Sequence, residues 1–335
     1  MGSIAPSPPR PKRAVKKKMR KTLAAALCVA SLILSACHPA GSGAAKGAAP
    51  AKIQVGYTNT GNLVGLFVAK DQGMFAKHGL DVDLVLIALN STIPSALVGG
   101  SIQVGATTPS VLLQAVDGGL DVVAIGGASV NDIHKSNAGV VARQGANIHT
   151  AQDFVGRRVG VPGIGAYMHV LFRKWLSDKG VDWHKVNFVE VPLAQASDVL
   201  RAGNVDAMLV GEPFISRVLN AKTGYLVSPY FTEMPDGLFS MYFASRRDWA
   251  QGHKAQVAAF RDAMAEANEF VAKDPVKSRE ILGRATHVPP DVLASAVLST
   301  VRLDLPPSDV DYWSQILVDQ KVIQRRPSAS SVLNN

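Results

Sequence analysis

From Ile53 onward, short β-rich apolar runs alternate with stretches whose apolar residues recur at helical spacing. Residues 53–57, 82–87, 102–106 and 122–126 read as strands, and 63–74, 91–98 and 110–116 as the helices between them. Glycine closes two of these helices, at Gly73 and at Gly99-Gly100. Strands that alternate with helices predict an α/β arrangement, a mostly parallel sheet covered on both faces. The pattern then restarts. Strands are expected at 138–142, 158–161, 186–191 and 205–210, with helices at 166–177, 197–201 and 213–220. One more strand, 238–244, precedes a block that reads as helical throughout: 254–272, 276–282, 290–301 and 308–318. In that block Val257, Phe260, Met264, Ala267 and Val271 form a single apolar stripe, the signature of core packing.

The two halves share a local phrase. Ala96-Leu97-Val98-Gly99-Gly100-Ser101-Ile102-Gln103-Val104 aligns with Val199-Leu200-Arg201-Ala202-Gly203-Asn204-Val205-Asp206-Ala207, each a helix end, a glycine stop and a buried strand. Helix-glycine-strand is common in α/β chains, so the phrase lends modest support to two similar lobes. The fold class expected is therefore α/β with two lobes, two mostly parallel sheets flanked by helices and joined by a hinge of two crossings. Lobe I takes residues 52–137 and 239–335, lobe II takes 138–238, and the crossings fall near 129–137 and 235–239. The roughly 285 residues involved suit two lobes of ordinary size better than one core.

Ahead of this pattern stands a different kind of segment. Eight basic residues and no acid precede Cys37, and an apolar run from Leu23 to Leu34 leads into Leu34-Ser35-Ala36-Cys37. A basic flank, a short apolar run and small residues before a cut describe a secretory signal peptide, residues 1–36. About a dozen apolar residues fall short of the roughly 20 that span a bilayer. An uncut anchor or a buried core helix fits the flanks less well. The tetrapeptide resembles a bacterial lipobox, which implies lipidation of Cys37, with 37–51 as a flexible tether rich in Gly, Ala and Pro. Met19 begins a complete leader by itself, which points to 1–18 as an upstream extension. The expected location is outside the cytoplasm, periplasmic or at the cell surface, with the membrane touched through the lipid alone.

The leader also alters the charge. It holds 8 of the 35 basic residues and none of the 26 acidic ones, so the rest balances at 27 against 26 and the net +9 belongs to the leader. No basic run follows Cys37, and nucleic acid is not an expected partner. Both cysteines, Cys28 and Cys37, lie in or at the end of the leader, so the folded part has no disulfide, thiolate nucleophile or cysteine-bound metal.

In an open parallel sheet, ligands sit beyond the carboxyl ends of the strands. The loops there carry hydroxyls, amides and glycines at helix starts: 58–62, 88–92, 107–110 and 127–129 in the first half, 162–167, 192–195 and 211–214 in the second. Free backbone N–H groups at helix starts hold anions well. The candidate contacts are Asn59, Asn62, Ser91, Thr108 and Ser110 on one side and Gly165, Ala166, Tyr167 and Glu212 on the other. No lysine or arginine occupies these loops; Glu212 either pairs with an amine on the ligand or favours the start of its own helix. Tyr167 and Phe214 are available to stack on an organic group, with core packing the alternative for Phe214. No nucleophile elbow, phosphate loop or His-Glu-x-x-His is present, so no catalytic residue is assigned, and the histidines show no metal-ligand spacing. No cofactor or metal is expected.

Three phrases carry a family resemblance. The run from Leu66 to Val82 resembles the opening helix and second strand of the nitrate/sulfonate/taurine solute-binding proteins, of periplasmic binding protein type II fold. Asp153-Phe154-Val155-Gly156-Arg157-Arg158-Val159-Gly160-Val161-Pro162 is similar to a second phrase of that family, and Ala202 to Ala207 with Glu212-Pro213 to a third. The resemblance as a whole covers nearly all of residues 53–320. The resemblance implies the substrate-binding component of an ABC importer: a monomer that closes two lobes on a small anionic or zwitterionic organic solute, such as a sulfonate, taurine or nitrate, and docks on a permease with its ATPase. Gln103 stands where the family has an acid, and Gly211 where a Trp often precedes Glu-Pro, so no one ligand carries over. The alternatives are a module that presents its ligand to a sensor, and an enzyme on the same fold; enzymes of this shape rely on cysteines that the folded part lacks.

Overall fold

The computed structural model describes residues 49–294 and 296–334. The leader and Cys37 lie outside them. The strands are β1 Ala51–Tyr57, β2 Leu80–Leu86, β3 Val104–Thr107, β4 Val122–Val130, β5 Ala138–Arg143, β6 Arg158–Val161, β7 Asn187–Glu190, β8 Ala207–Gly211, β9 Gly224–Ser228, β10 Phe239–Arg246 and β11 Thr300–Val301. The helices that matter for the site are α1 Val64–Asp71, α2 Ile93–Val98, α3 Pro109–Asp117, α4 Tyr167–Asp178, α5 Ala196–Arg201 and α6 Phe214–Asn220; α7 Lys254–Lys273, α8 Pro275–Thr286 and α9 Pro307–Asp319 belong to the C-terminal block.

Two sheets result, in the orders β11-β4-β10-β3-β1-β2 and β7-β6-β8-β5-β9. Both are mixed, where the strand-helix alternation predicts mostly parallel pairing. β1 pairs in parallel with β2 and β3, and β6 in parallel with β7 and β8. β10 is antiparallel to β3 and β4, β11 to β4, and β5 to β8 and β9. The cause is the way the chain crosses. It leaves β4 at the end where the ligand loops sit, so β5 must start there and run the other way; β10 repeats this on the return. Each sheet thereby gains one reversed strand at the same place. With that strand included, β2-β1-β3-β10 matches β7-β6-β8-β5, and the shared phrase found in the sequence covers equivalent units, α2-β3 and α5-β8.

The apolar stripe of α7 is buried as its spacing requires, and packs with Leu66, Phe67 and Phe75 on the outer face of the first sheet. Full burial of such side chains contributes about 1.5–3 kcal/mol each. The carboxyl of Asp309, in the first turn of α9, accepts from the Tyr242 hydroxyl at 2.6 Å and the Phe239 N–H at 3.2 Å. Trp313 Nε1 donates to the Phe239 carbonyl at 3.1 Å. These bonds fix the C-terminal block on β10.

Two elements differ from the sequence expectation. The helix expected over 290–301 stops at Leu293, and Thr300–Val301 pairs with β4 as an edge strand. The β-branched residues there gain more from the free edge of β4 than from a helical turn. β9 is a further strand, short and set between Thr223 and Pro229, which gave the pattern too few residues to register. The expected loop 127–129 is part of β4, and the first strand starts at Ala51, inside the expected tether.

Candidate functional site

The carboxyl ends of β1, β2 and β3 face those of β6 and β7 across a cavity of about 190 Å³. On the first side the loop after β1 supplies Thr58, Asn59, Thr60 and Asn62. The end of β2 supplies Leu86, Ile87, Ala88 and Asn90, and Thr108 and Met241 complete that side. On the second side Pro162 follows β6, Ala166, Tyr167 and Met168 open α4, and residues 192–195 follow β7. Every lining side chain is uncharged. A dry cavity of about 150 Å³ takes a benzene molecule, so the volume sets a scale of one small ring or its equivalent.

Local chemistry explains why these residues converge. Asn90 is buried and bonded at both ends of its amide: its Nδ2 donates to the Ala106 carbonyl at 3.2 Å, and its Oδ1 accepts from Thr107 Oγ1 and the Thr108 N–H, both at 3.1 Å. It joins the β2 loop to the start of α3, where Thr108 Oγ1 accepts from the Val111 N–H as an N-cap. On the facing side Ala166 is the N-cap of α4 without a side-chain bond, so the first-turn N–H groups of that helix border the cavity.

Among the described residues, several hydrogen bonds cross from one side of the cavity to the other. Asn62 Nδ2 donates to the Tyr167 hydroxyl at 2.6 Å. Ser91 Oγ donates to Glu190 Oε1 at 3.1 Å, Gln114 Nε2 to the Gly165 carbonyl at 2.9 Å, and the Gly61 N–H to the Glu212 carbonyl at 3.0 Å. Asn62 is also a hub on its own side: its Oδ1 accepts from Ser299 Oγ at 2.9 Å and Asn137 Nδ2 at 3.4 Å. It therefore ties the α1 start, the β4–β5 crossing, the approach to β11 and α4 into one cluster.

Of the residues expected from the sequence, Asn59, Asn62, Thr108, Ala166 and Tyr167 line the cavity. Ser91, Ser110, Gly165 and Glu212 sit around it instead. Ser110 Oγ lies 3.1 Å from Thr108 Oγ1, and the Gly165 N–H donates to His169 Nδ1 at 3.0 Å. The Glu212 carboxyl is buried and turned to α6, accepting from the Ser216 hydroxyl at 2.8 Å and the Ser216 N–H at 3.2 Å. Of the two roles considered for Glu212, this geometry is that of a helix start. Burial raises its pKa to about 7 against the opposing bonds from Ser216 and the Val297 N–H. Phe214 is core. Tyr167 stays protonated, since burial pushes its pKa up more than the Asn62 amide lowers it.

An apolar wall also lines the cavity: Leu86, Ile87, Met168 and Met241 lie outside the loops expected from the sequence, and Pro162 and Leu193 lie within them. His169 is buried, and burial, with Arg173 beside it, holds its pKa well below the ordinary value. A neutral imidazole has one lone-pair nitrogen. Two donors compete for it, the Gly165 N–H 3.0 Å from Nδ1 and the Arg173 Nε–H 3.0 Å from Nε2, so the tautomer that serves one leaves the other without an acceptor on the ring. The other guanidinium neighbour is the Trp183 ring, whose centroid is 4.3 Å away.

Two lobes of equivalent topology, closed over a small cavity at their strand ends, define a solute-binding protein. The alkanesulfonate-binding protein SsuA from Xanthomonas axonopodis pv. citri, solved with MOPS bound, shares the fold: TM-score 0.74, 19% identity, 86% of this chain and 100% of that one covered. A binding protein of Brucella abortus is 24% identical over 225 residues, 66% of this chain and 67% of its own. The bicarbonate-binding protein CmpA of a Synechococcus strain is 25% identical over 246 residues, 65% of this chain and 53% of CmpA. A family model described as NMT1/THI5 like matches residues 60–278. The chain belongs to this family, a binding-protein family of ABC transporters.

Proposed function

We propose that this chain captures a small solute in the cavity between its lobes and delivers it to an ABC permease driven by an ATPase. The observation that carries the reading is the composition of the cavity wall: both lobes contribute, through the loops that end parallel strands. A solute held there touches both lobes at once. It stabilises the closed arrangement by the difference in affinity between closed and open forms. The Asn62–Tyr167 bond joins the lobes beside the solute, so the same two residues serve closure and contact.

The volume admits each solute expected from the sequence, nitrate, taurine and short sulfonates, and rejects bodies much larger than one ring. Relatives named for bicarbonate and for alkanesulfonates support a small solute as the cargo. The leader supports export, with a lipid on Cys37 holding the protein near its permease. Thermal unfolding of the full-length chain across a panel of small solutes tests the capture step. A true solute at about a hundred times its dissociation constant adds about 2.7 kcal/mol; a panel without any shift removes the support for capture.

A further inference from the structure

We propose that Arg173, which does not line the cavity, is a specificity-determining residue for the solute: its buried guanidinium draws an anion to the start of α4. This rests on the capture reading above and adds to it a residue that stands behind the wall.

Arg173 lies on α4, less than two turns from the end that borders the cavity. Side chains lean toward the N-terminal end of their helix, and this guanidinium turns back onto His169, one turn nearer the cavity. Its Nε is 3.0 Å from His169 Nε2, and a terminal nitrogen is 3.2 Å from Nδ1. Nδ1 lies in turn 3.0 Å from the backbone nitrogen of Gly165, the neighbour of Ala166 in the cavity wall.

The charge is present and uncompensated. Arg173 is 8% exposed, and burial pulls its pKa down to about 10, which leaves it protonated at neutral pH. Among the described residues no carboxylate pairs with it; its neighbours are the neutral His169 ring and the face of Trp183. A buried arginine ordinarily has an acid as partner, and the single lone pair of a neutral imidazole does not replace one. Glu190 is the acid that meets this loop, accepting from the Ile164 N–H at 2.6 Å. It is partly exposed, so water and salt screen it, whereas the buried Arg173 is screened much less. An anion held by the amides, hydroxyls and helix start of the cavity supplies the missing negative charge. At about 10 Å and an effective dielectric constant of about 20, one unit charge changes the affinity for another by about tenfold. A neutral solute of the same shape gains nothing from it.

Matched pairs test this by calorimetric titration of the full-length chain: methanesulfonate against methanesulfonamide, and benzoate against benzamide, with nitrate alongside. The native chain is expected to bind the anion more tightly than its neutral counterpart. Arg173→Met keeps the stem and removes the charge; Arg173→Gln also keeps an N–H for His169. Both should weaken the anion by about tenfold and leave the neutral member unchanged, which shows as well that the variants are folded. Arg173→Lys should retain the native preference. Anion affinity that stays the same in both uncharged variants overturns the inference and leaves capture standing. Equal loss of both members does the same, because it marks a structural role for Arg173. A native chain that prefers the neutral member also overturns it. Failure of every compound to bind the native chain overturns capture and the inference together.

Discussion

Glu212 shows how a side chain chosen for its chemistry serves the frame around the site. Its carboxyl is buried, raised to about 7 by that burial, and bonded to Ser216 at the start of α6. The folded value lies above the unfolded one. The stabilisation from the protonated form is therefore complete below about pH 4.5 and is lost as pH rises through about 7. The loss is of the order of 3 kcal/mol for a shift of this size. Glu212→Gln keeps a neutral acceptor and removes the titration. Urea unfolding at pH 5 and pH 8 should show a large drop in stability for the native chain and a much smaller drop for the variant; equal drops would contradict the assignment. Tyr167→Phe deletes the bond to Asn62 while keeping the ring. Titration should show solute affinity reduced by about tenfold, and the melting temperature should fall as well, because the buried Asn62 amide loses this acceptor. At this scale the sequence was half legible. Asn59, Asn62, Thr108, Ala166 and Tyr167 were readable because a polar or small residue after a strand has few other uses. Leu86 and Met241 were not, since an apolar residue on a cavity wall reads the same as one in the core.

Among elements, the loops after the parallel strands were readable in advance, because strand-helix alternation fixes which strand ends carry them. The reversed strands were not, since the direction of β5 and β10 is set by where the chain crosses, and residue pattern holds no trace of that. The segment 296–301 shows the same limit. Its residues suit a helix or an edge strand, and the open side of β4 decides. Its Ser299 then reaches Asn62, so a misread element hid one member of the polar cluster. Gly61 marks the tightest approach between lobes: its N–H meets the Glu212 carbonyl, and a Cβ there would overlap that oxygen. Gly61→Ala should lower stability by about 1–3 kcal/mol, as overpacking does, and weaken solute binding, since the α1 start must move away from Glu212. Unchanged melting and titration curves would show that the lobes do not need this contact.

At the scale of the whole molecule, the proposed lipid anchor on Cys37 and the proposed trap are tested separately. Cys37→Ser should abolish incorporation of labelled palmitate in a bacterial host that retains lipid modification, while the native chain takes the label; equal labelling would show that Cys37 is not the anchor. The trap itself is tested by filling it. Ala88 is exposed on the first lobe and borders the cavity, so Ala88→Trp puts a large ring into the space while leaving the core and the polar cluster alone. Calorimetric titration of this variant against the native chain, with the solute that gives the largest thermal shift, is the most direct measurement. The account predicts one site per native chain and no binding to Ala88→Trp at an unchanged melting temperature. Full binding by the blocked variant would contradict it, because the solute would then sit somewhere other than between the lobes.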